Sequence, residues 1–102
     1  MLFDMGQLPA DIRYKILTAT VTPRPIAWVT TRSLDGAANA APFSFFNVLG
    51  SEPPIVGFCP GDREDGTPKD TARNVRLSHE FVVNLVDGIQ SECVDVQIAD
   101  PV

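Results

Sequence analysis

The chain has 102 residues, a length that suits one domain with a modest hydrophobic core. Its formal net charge of −5 argues against nucleic acid and anionic membrane surfaces as partners, because both need basic patches. No apolar run approaches the roughly 20 residues that span a bilayer, and the N-terminus lacks the basic and apolar regions of a secretory signal. We therefore expect a single cytoplasmic domain over residues 1–102.

The N-terminal region predicts a short amphipathic helix. Pro9 lies near its first turn, where a missing N–H costs least, and the helix runs to about Ala19. Ile12, Ile16 and Leu17 recur at helical spacing. We expect this apolar face to pack against the rest of the fold or against a partner subunit.

Arg24 lies in an extended segment between two prolines. Pro25 disfavours helical geometry at Arg24, and Pro23 restricts its own φ. An arginine held in this way loses little backbone entropy when it makes a contact. The alternative is a surface linker with a solvated arginine.

A β-hairpin is predicted next. Residues 26–32 form a strand rich in β-branched and aromatic side chains, residues 33–36 form a turn around Asp-Gly, and residues 37–43 form the return strand. Pro42 is expected to stop regular pairing near the end of that strand. Strand alternation places Thr30 on one face of this strand and Thr31 on the other. Their hydroxyls would either bind a ligand or pair across the sheet.

The return strand carries unusually small side chains. Strands normally favour bulky branched residues, whereas this one contains Ala37, Ala38, Ala40 and Ala41. Such a surface lets a flat group approach the main chain closely. The alternative is that a neighbouring helix or strand packs there.

Three phenylalanines follow the alanines with two polar residues among them. Phe43, Phe45 and Phe46 are predicted to belong to the core rather than to a ligand platform. Ser44 and Asn47 need hydrogen-bonding partners in such apolar surroundings, and either backbone or a ligand would serve.

Residues 51–54 predict a rigid loop, residues 55–59 a short apolar strand, and residues 60–68 a polar loop. Cys59 is expected to pack inside that strand. Cys59 and Cys93 lack Cys-x-x-Cys spacing and are interpreted as reduced thiols of a cytosolic protein, with a single disulfide as the alternative.

A second helix is predicted over residues 69–77, with Asp70 as its N-cap. The unpaired N–H groups of a helix N-terminus favour an anion, and Lys69 and Thr71 add a cation and a hydroxyl. This combination suits a phosphate. The alternative is an ordinary capped helix with a solvated lysine.

The remaining residues predict two more strands. Residues 80–86 alternate as a central strand, residues 87–88 form a turn, and residues 93–98 suggest a final strand with one buried face. His79 is interpreted as a surface or capping residue. With one histidine and no clustered cysteines, no metal site is expected.

Five ordered motifs carry a family resemblance. They are Pro-Arg-Pro-Ile-Ala-Trp-Val-Thr-Thr at 23–31, Asp-Gly at 35–36, Asn-Ala-Ala-Pro-Phe-Ser-Phe-Phe-Asn at 39–47, Lys-Asp-Thr-Ala-Arg-Asn at 69–74 and Glu-Phe-Val-Val-Asn-Leu at 80–85. Over about residues 8–86 the chain resembles the flavin reductase-like family. The resemblance implies a mainly β fold, a split β-barrel with accessory helices that binds FMN. Family members continue beyond this length, so it also implies that the chain is the N-terminal portion of the family domain.

The resemblance further implies a set of cofactor-binding residues. They are Arg24, Thr30, Thr31, Asn39, Ala41, Pro42, Phe43, Ser44, Asn47, Lys69 and Thr71. The two adjacent threonines would lie along the flavin, residues 39–44 would face the isoalloxazine, and Asn47 would support that loop. Arg24, Lys69 and Thr71 would bind the phosphate.

The implied reaction is hydride transfer from NADH or NADPH to bound flavin, and onward transfer to an acceptor such as a monooxygenase component. FMN is favoured over FAD, and no side chain is assigned as a catalytic acid or base. The resemblance also implies a homodimer with flavin near the interface. The alternatives are a non-catalytic FMN-binding module and a dimerising fragment without cofactor.

Overall fold

The computed structural model describes residues 1–85 and 95–99, and the fold is mainly β, as expected. The elements in chain order are α1 (Ala10–Thr20), β1 (Ala27–Arg32), β2 (Ala38–Phe43), β3 (Phe46–Ser51), β4 (Pro54–Phe58), α2 (Asp70–Ser78), β5 (Glu80–Leu85) and β6 (Asp95–Ala99). Neither described helix has the length and apolar character needed to cross a lipid bilayer.

The larger sheet is antiparallel and has the strand order β2-β1-β5-β6. The predicted central position of β5 is confirmed, because it lies between β1 and β6. A final strand also forms as expected, as β6. The predicted turn at residues 87–88, Val86, Cys93 and Val94 lie outside the described residues.

The predicted hairpin is confirmed. The backbone N–H of Gly36 donates to the Ser33 carbonyl at 2.9 Å, and the N–H of Ser33 donates to the Ala37 carbonyl at 2.9 Å. Gly36 has φ of +90°, a conformation that glycine adopts without steric cost. The Asp35 carboxylate accepts the Ala37 N–H and the Ser33 hydroxyl.

Pro42 does not stop the pairing, so that expectation was wrong. Strand β2 continues through Pro42, opposite Trp28, to Phe43, opposite Ala27. Strand β2 is the edge of the described sheet, and an edge strand tolerates a residue that lacks a backbone donor.

Strands β3 and β4 form a separate two-stranded sheet. No strand is predicted over residues 46–51, yet β3 forms there. Pairing with β4 creates it, from Phe46 opposite Phe58 to Ser51 opposite Pro54. The loop predicted over residues 51–54 is shorter in the structure: Ser51 ends β3, Pro54 begins β4, and residues 52–53 form the turn between them.

The core lies on the inner face of the larger sheet. Ala27, Val29, Phe43 and Val83 are buried there. The ring of Phe58 packs against Phe43 at 5.2 Å between centroids, which joins the smaller sheet to this core. A single apolar core therefore connects the two sheets.

The outer face of β1 is open. Ile26 and Trp28 begin this face with apolar side chains, yet 52% and 39% of their surface is exposed. Among the residues of β1, those that are fully buried lie on the inner face.

Cys59 is exposed, and its predicted place inside a strand was wrong. Strand β4 ends at Phe58, and the Cys59 N–H donates to the Phe45 carbonyl at 2.9 Å. Pro60 follows and cannot extend the pairing, so the thiol lies at the start of the polar loop.

Helix α1 buries none of its residues, and its apolar face is only partly covered. Tyr14 approaches the Phe45 ring at 5.9 Å between centroids. The Arg24 guanidinium donates to the carbonyls of Thr18 at 2.8 Å and Val21 at 2.7 Å, and it lies 5.7 Å from the centre of the Phe45 ring. Helix α1 therefore contacts the fold mainly through its C-terminal end and two aromatic rings.

Candidate functional site

A groove opens between the inner face of β2 and the N-terminus of α2, and we term it the β2–α2 groove. It encloses about 300 Å³ and is lined by Asn39, Ala41, Pro42, Phe43, Arg63, Lys69, Asp70 and Thr71. A neighbouring cavity of about 430 Å³ shares Pro42, Phe43 and Lys69, and extends past Ser44. Seven of the eleven predicted cofactor residues line one or both of these spaces.

One wall of the groove has little side-chain bulk. Strand alternation turns Asn39, Ala41 and Phe43 toward the inner face, where Ala41 is half-buried and Phe43 is buried. Between the larger flanking side chains, the Ala41 methyl leaves the β2 backbone accessible. The structure therefore brings a flat surface to the side of a helix N-terminus.

The opposite wall begins at Lys69, which occupies the N-cap of α2. Asp70 was expected in that position, and this was wrong. Asp70 is the first helical residue, and its carboxylate accepts hydrogen bonds from Arg63 at 2.8 Å and Arg73 at 3.1 Å. Two guanidinium groups thus bind the carboxylate that the sequence pattern assigns to capping, and no side chain caps the N–H groups of α2.

The charge lining the groove is positive, although the whole chain is acidic. Arg63 and Lys69 face a single carboxylate, Asp70, among the lining residues. The backbone N–H groups at the start of α2 add partial positive charge. The groove therefore has the electrostatic character of an anion site.

The polar loop before α2 is held by its own hydrogen bonds. The Asp65 carboxylate accepts the Thr67 hydroxyl at 2.6 Å and the Thr67 N–H at 2.9 Å. The hydrogen bond from the Thr67 hydroxyl, and to a lesser extent the one from the Thr67 N–H, keeps the pKa of Asp65 below its usual value. Arg63 donates to the Pro68 carbonyl as well as to Asp70, so it ties this loop to the start of the helix.

Thr71 and Asn74 lie three residues apart on one face of α2 and dock it onto the hairpin. The Asn39 amide donates to the Thr71 hydroxyl oxygen at 3.0 Å. The Asn74 amide donates to the Thr31 hydroxyl oxygen, also at 3.0 Å. Thr71, Asn74 and Thr31 retain only 1%, 3% and 5% of their surface, so these contacts are shielded from solvent.

Thr30 lies on the opposite face of β1 from Thr31. It is half-buried and accepts a hydrogen bond from the Asn84 amide at 3.3 Å. Both threonines line a third cavity, of about 340 Å³, at the end of β1. The structure therefore places them beside the β2–α2 groove rather than within its lining.

Arg24, Ser44 and Asn47 line a fourth cavity, of about 510 Å³, between α1 and the smaller sheet. Arg24 Nε donates to the Ser44 hydroxyl at 3.5 Å. Asn47 is exposed, and its side-chain oxygen accepts the N–H of Val48 at 2.8 Å. Ser44 thus lies between this cavity and the extension of the groove, whereas Arg24 and Asn47 lie outside the groove lining.

Sequence reasoning missed Arg63, Asn74 and Asn84. Two of them had a usable signal: Asn74 lies three residues after Thr71, a spacing that shares one helix face, and Asn84 is a polar residue within an apolar strand. Arg63 gave no local signal, because its partner Asp70 lies seven residues away across a loop.

The flavin reductase like domain model matches residues 19–100. The chain therefore belongs to the flavin reductase-like domain family, a flavin-related oxidoreductase family, and the predicted resemblance is confirmed. The resemblance was expected over about residues 8–86, whereas the match begins at residue 19 and extends to residue 100. The segment after β5 thus belongs to the family domain too. Its short alternating pattern predicts a strand but carries no family motif.

The chain is also similar to three longer proteins. The chain is 51% identical to an uncharacterized protein of Deinococcus radiodurans, over 96% of this chain and 45% of that protein. It is 57% identical to the uncharacterized protein BH2278 of Halalkalibacterium halodurans, over 94% of this chain and 46% of that protein. It is 52% identical to the uncharacterized protein YwrF of Bacillus subtilis, over 84% of this chain and 42% of that protein.

Two solved structures resemble this one. Nitrilotriacetate monooxygenase component B from Bacillus cereus has a TM-score of 0.73 and 36% identity, over 85% of this chain and 43% of that chain. The 2-nitrobenzoate 2-nitroreductase NbaA from Pseudomonas fluorescens has a TM-score of 0.68 and 38% identity, over 85% of this chain and 41% of that chain. The chain spans less than half the length of the relatives and structures described here.

Proposed function

We propose that this chain is the N-terminal, FMN-binding portion of an oxidoreductase that moves hydride from NADH or NADPH to a bound flavin and passes electrons to an acceptor. Family membership supports the flavin. The β2–α2 groove supports FMN in particular, and it is the observation that carries the proposal. Its flat wall and cationic helix N-terminus match the two halves of FMN, a planar ring and a terminal phosphate.

The size and chemistry of the site fit the cofactor. The groove of about 300 Å³ and its neighbouring cavity of about 430 Å³ reach the range of small-molecule sites. The start of α2 offers N–H donors for a phosphate, and Lys69 supplies a full positive charge beside them. A phosphate that ends at the helix suits FMN, whereas FAD would continue past it to an adenosine.

Each wall has its own task in this proposal. Lys69 and Thr71 bind the phosphate together with the first N–H groups of α2. Ala41 and Phe43 hold the ring through close contact, with Pro42 and Ser44 at its rim. Asn39, beside the phosphate wall, is a cofactor-site residue through its bond to Thr71.

The other four predicted residues stay predictions with narrower roles. They are Arg24, Thr30, Thr31 and Asn47. Arg24 contacts Ser44 and would position it, and the two threonines would meet parts of the ligand that extend beyond the groove lining. Asn47 would support the turn into β3, where its side chain already accepts a backbone N–H.

When bound, flavin supplies the hydride and electron transfer. The protein's own residues bind and orient it, and none is assigned as a proton donor or acceptor. The side-chain-poor wall holds one face of the ring, which leaves the other face accessible to a nicotinamide. Water is excluded on the core side by Phe43, which is buried against Phe58.

We also propose a homodimer and an acceptor protein. A structural neighbour is a monooxygenase component B, which favours a monooxygenase component as the acceptor. Exposed apolar residues on the smaller sheet favour association with a second copy. Val48 and Leu49 of that sheet are 65% and 70% exposed.

The test begins with FMN added to the purified protein, followed by removal of the excess. We expect retained visible bands that are shifted from those of free flavin, and weaker retention of FAD. NADH and NADPH are then added without oxygen, and loss of the flavin bands reports hydride transfer. A folded protein that retains no flavin would contradict the proposal. Retained flavin that neither nucleotide bleaches would favour the second candidate, a non-catalytic FMN-binding module.

A further inference from the structure

The three threonines predicted to meet the flavin share one feature: each hydroxyl oxygen accepts a hydrogen bond from an asparagine amide. Asn84 donates to Thr30, Asn74 to Thr31 and Asn39 to Thr71. The partners come from different elements and lie between 32 and 54 residues apart in the chain. Local sequence spacing does not produce this arrangement.

Such a bond constrains where the hydroxyl hydrogen points. A threonine hydroxyl has one hydrogen to donate and lone pairs that accept. When its oxygen accepts an amide N–H, the hydrogen turns away from that amide and seeks another acceptor. Within residues 1–85 and 95–99, the Thr71 hydroxyl donates to no protein acceptor. Thr71 lines the β2–α2 groove, so an acceptor in the groove could receive this hydrogen.

We propose that Asn39 is a positioning residue: it fixes the Thr71 hydroxyl as a hydrogen-bond donor for the phosphate of the flavin. This inference rests on the proposed function and assigns Asn39 a task other than contact with the ring. Asn39 lies in the strand wall and Thr71 in the helix wall, so their bond at 3.0 Å joins the two walls.

The Asn74–Thr31 bond supports the same arrangement one helical turn further on. Asn39 and Thr31 are direct partners across β1 and β2, and Asn74 follows Thr71 on the same helix face. The two amide bonds thus hold α2 at two points against one strand pair. This limits rotation of the helix and holds Thr71 against the hairpin at the lining of the groove.

A double-mutant cycle tests the assignment. Kd values for FMN and for riboflavin, which lacks the phosphate, are measured by flavin fluorescence for the wild-type protein, Asn39→Ala, Thr71→Val and the double variant. Because a bond to a charged group is involved, we expect each single variant to weaken FMN about tenfold. Riboflavin should change less than twofold, and the double variant should lose no more FMN affinity than Thr71→Val alone.

Two control variants accompany the cycle. Thr71→Ser keeps the hydroxyl and should bind FMN within about threefold of the wild type. Thr67→Val removes an exposed hydroxyl that binds Asp65 outside the groove lining, and its ratio of FMN to riboflavin affinity should not change. If Asn39→Ala does not fold, Asn39→Leu replaces it, since it keeps much of the side-chain volume and removes the donor without adding a charge.

The outcomes separate this inference from the proposed function. If the wild-type protein binds neither flavin, both are overturned. If the wild type binds FMN but Asn39→Ala or Asn39→Leu keeps wild-type affinity, only the positioning role is overturned. Equal losses for FMN and riboflavin would also overturn it, because a purely structural asparagine would affect the binding of both ligands. Additive losses in the double variant would overturn it too, because they would show that Asn39 acts independently of the Thr71 hydroxyl.

Discussion

Lys69 is the residue on which the phosphate assignment depends most directly. In residues 1–85 and 95–99, the salt bridges join Asp70 to Arg63 and Arg73, and Lys69 takes part in neither. Its exposed ammonium stands at the uncapped start of α2. An incoming phosphate would therefore meet a cation that does not have to leave another partner.

We predict that Lys69→Ala weakens FMN binding by about 1.5–3 kcal/mol, because one charge-assisted contact is lost. Riboflavin affinity should stay close to the wild-type value, and circular dichroism should show an unchanged fold. Lys15→Ala removes the same charge from the exposed surface of α1 and serves as the control. Equal FMN affinity in wild type and Lys69→Ala would remove this lysine from the phosphate site.

A second residue-scale prediction uses two adjacent alanines of β2. Ala41 faces the groove, whereas Ala40 points to the outer face and is exposed. A leucine at Ala41 would occupy the space proposed for the ring, so Ala41→Leu should abolish retention of FMN at micromolar concentration. Ala40→Leu adds the same bulk on the other side and should retain it. The opposite result would place the flavin on the outer face of the hairpin.

At the scale of elements, α1 depends on Arg24 for its attachment. The guanidinium caps carbonyls at the helix C-terminus and stacks on Phe45, while the helix buries no residue of its own. We predict that Arg24→Met lowers the free energy of unfolding by about 1–3 kcal/mol and speeds hydrogen exchange in α1. Arg13→Met, on the exposed side of α1, should change little. Unaltered stability together with weaker FMN binding would instead favour the phosphate role.

The β1–β2 turn depends on the backbone of Gly36. A Cβ there would meet no atom within 4 Å, so the cost of a substitution comes from the φ of +90° alone. We predict that Gly36→Ala destabilises the protein by about 1 kcal/mol in urea unfolding. Gly6→Ala is a suitable control, because its added carbon would make only an ordinary contact with Asp4 at 3.4 Å. Equal stability of the two variants would show that the turn relaxes.

At the scale of the whole molecule, the described structure combines a small core with considerable exposed apolar surface. Four apolar residues are buried in the core among the described residues, while large apolar side chains on β1 and β3 remain exposed. The relatives are more than twice as long as this chain, which matches 45% and 46% of their length. Association with further polypeptide would cover surface that water now contacts.

We predict a homodimer in which the smaller sheet takes part. Sedimentation velocity should give about twice the 11.1 kDa mass of one chain. Leu49→Glu, on β3, should shift the protein toward monomer, because a carboxylate in an apolar interface is costly. Leu34→Glu adds the same charge at the exposed hairpin turn and should leave the dimer intact. A monomeric wild-type protein, or equal behaviour of both variants, would contradict this arrangement.

Much of the fold could be predicted because its signals are local. Asp35 and Gly36 mark a tight turn between alternating strands, and the hairpin formed with nearly the expected bounds. Helix α2 and the central strand β5 follow from spacing within each segment. His79, predicted to be a surface or capping residue, is exposed and takes the left-handed conformation at the C-terminus of α2.

The candidate site could be predicted in part for the same reason. Residues 39–44 and Lys69 with Thr71 stand out in two short motifs, and the structure brings these motifs together across one groove. Their convergence could not be read from spacing, because β3, β4 and the polar loop lie between them in the chain. Roles at the cofactor stay predictions for all of these residues.

The sequence by itself determined the hairpin turn, most of the described strands, both helices and the family, because backbone preference and alternation act over a few residues and each family motif is short. Only the tertiary structure decided which partner each polar group takes. Asp70 binds two arginines instead of capping its helix, and the amide of Asn74 reaches Thr31, 43 residues earlier in the chain. Such pairings depend on how the elements pack, since a buried polar group takes whichever partner the packing brings within hydrogen-bonding distance.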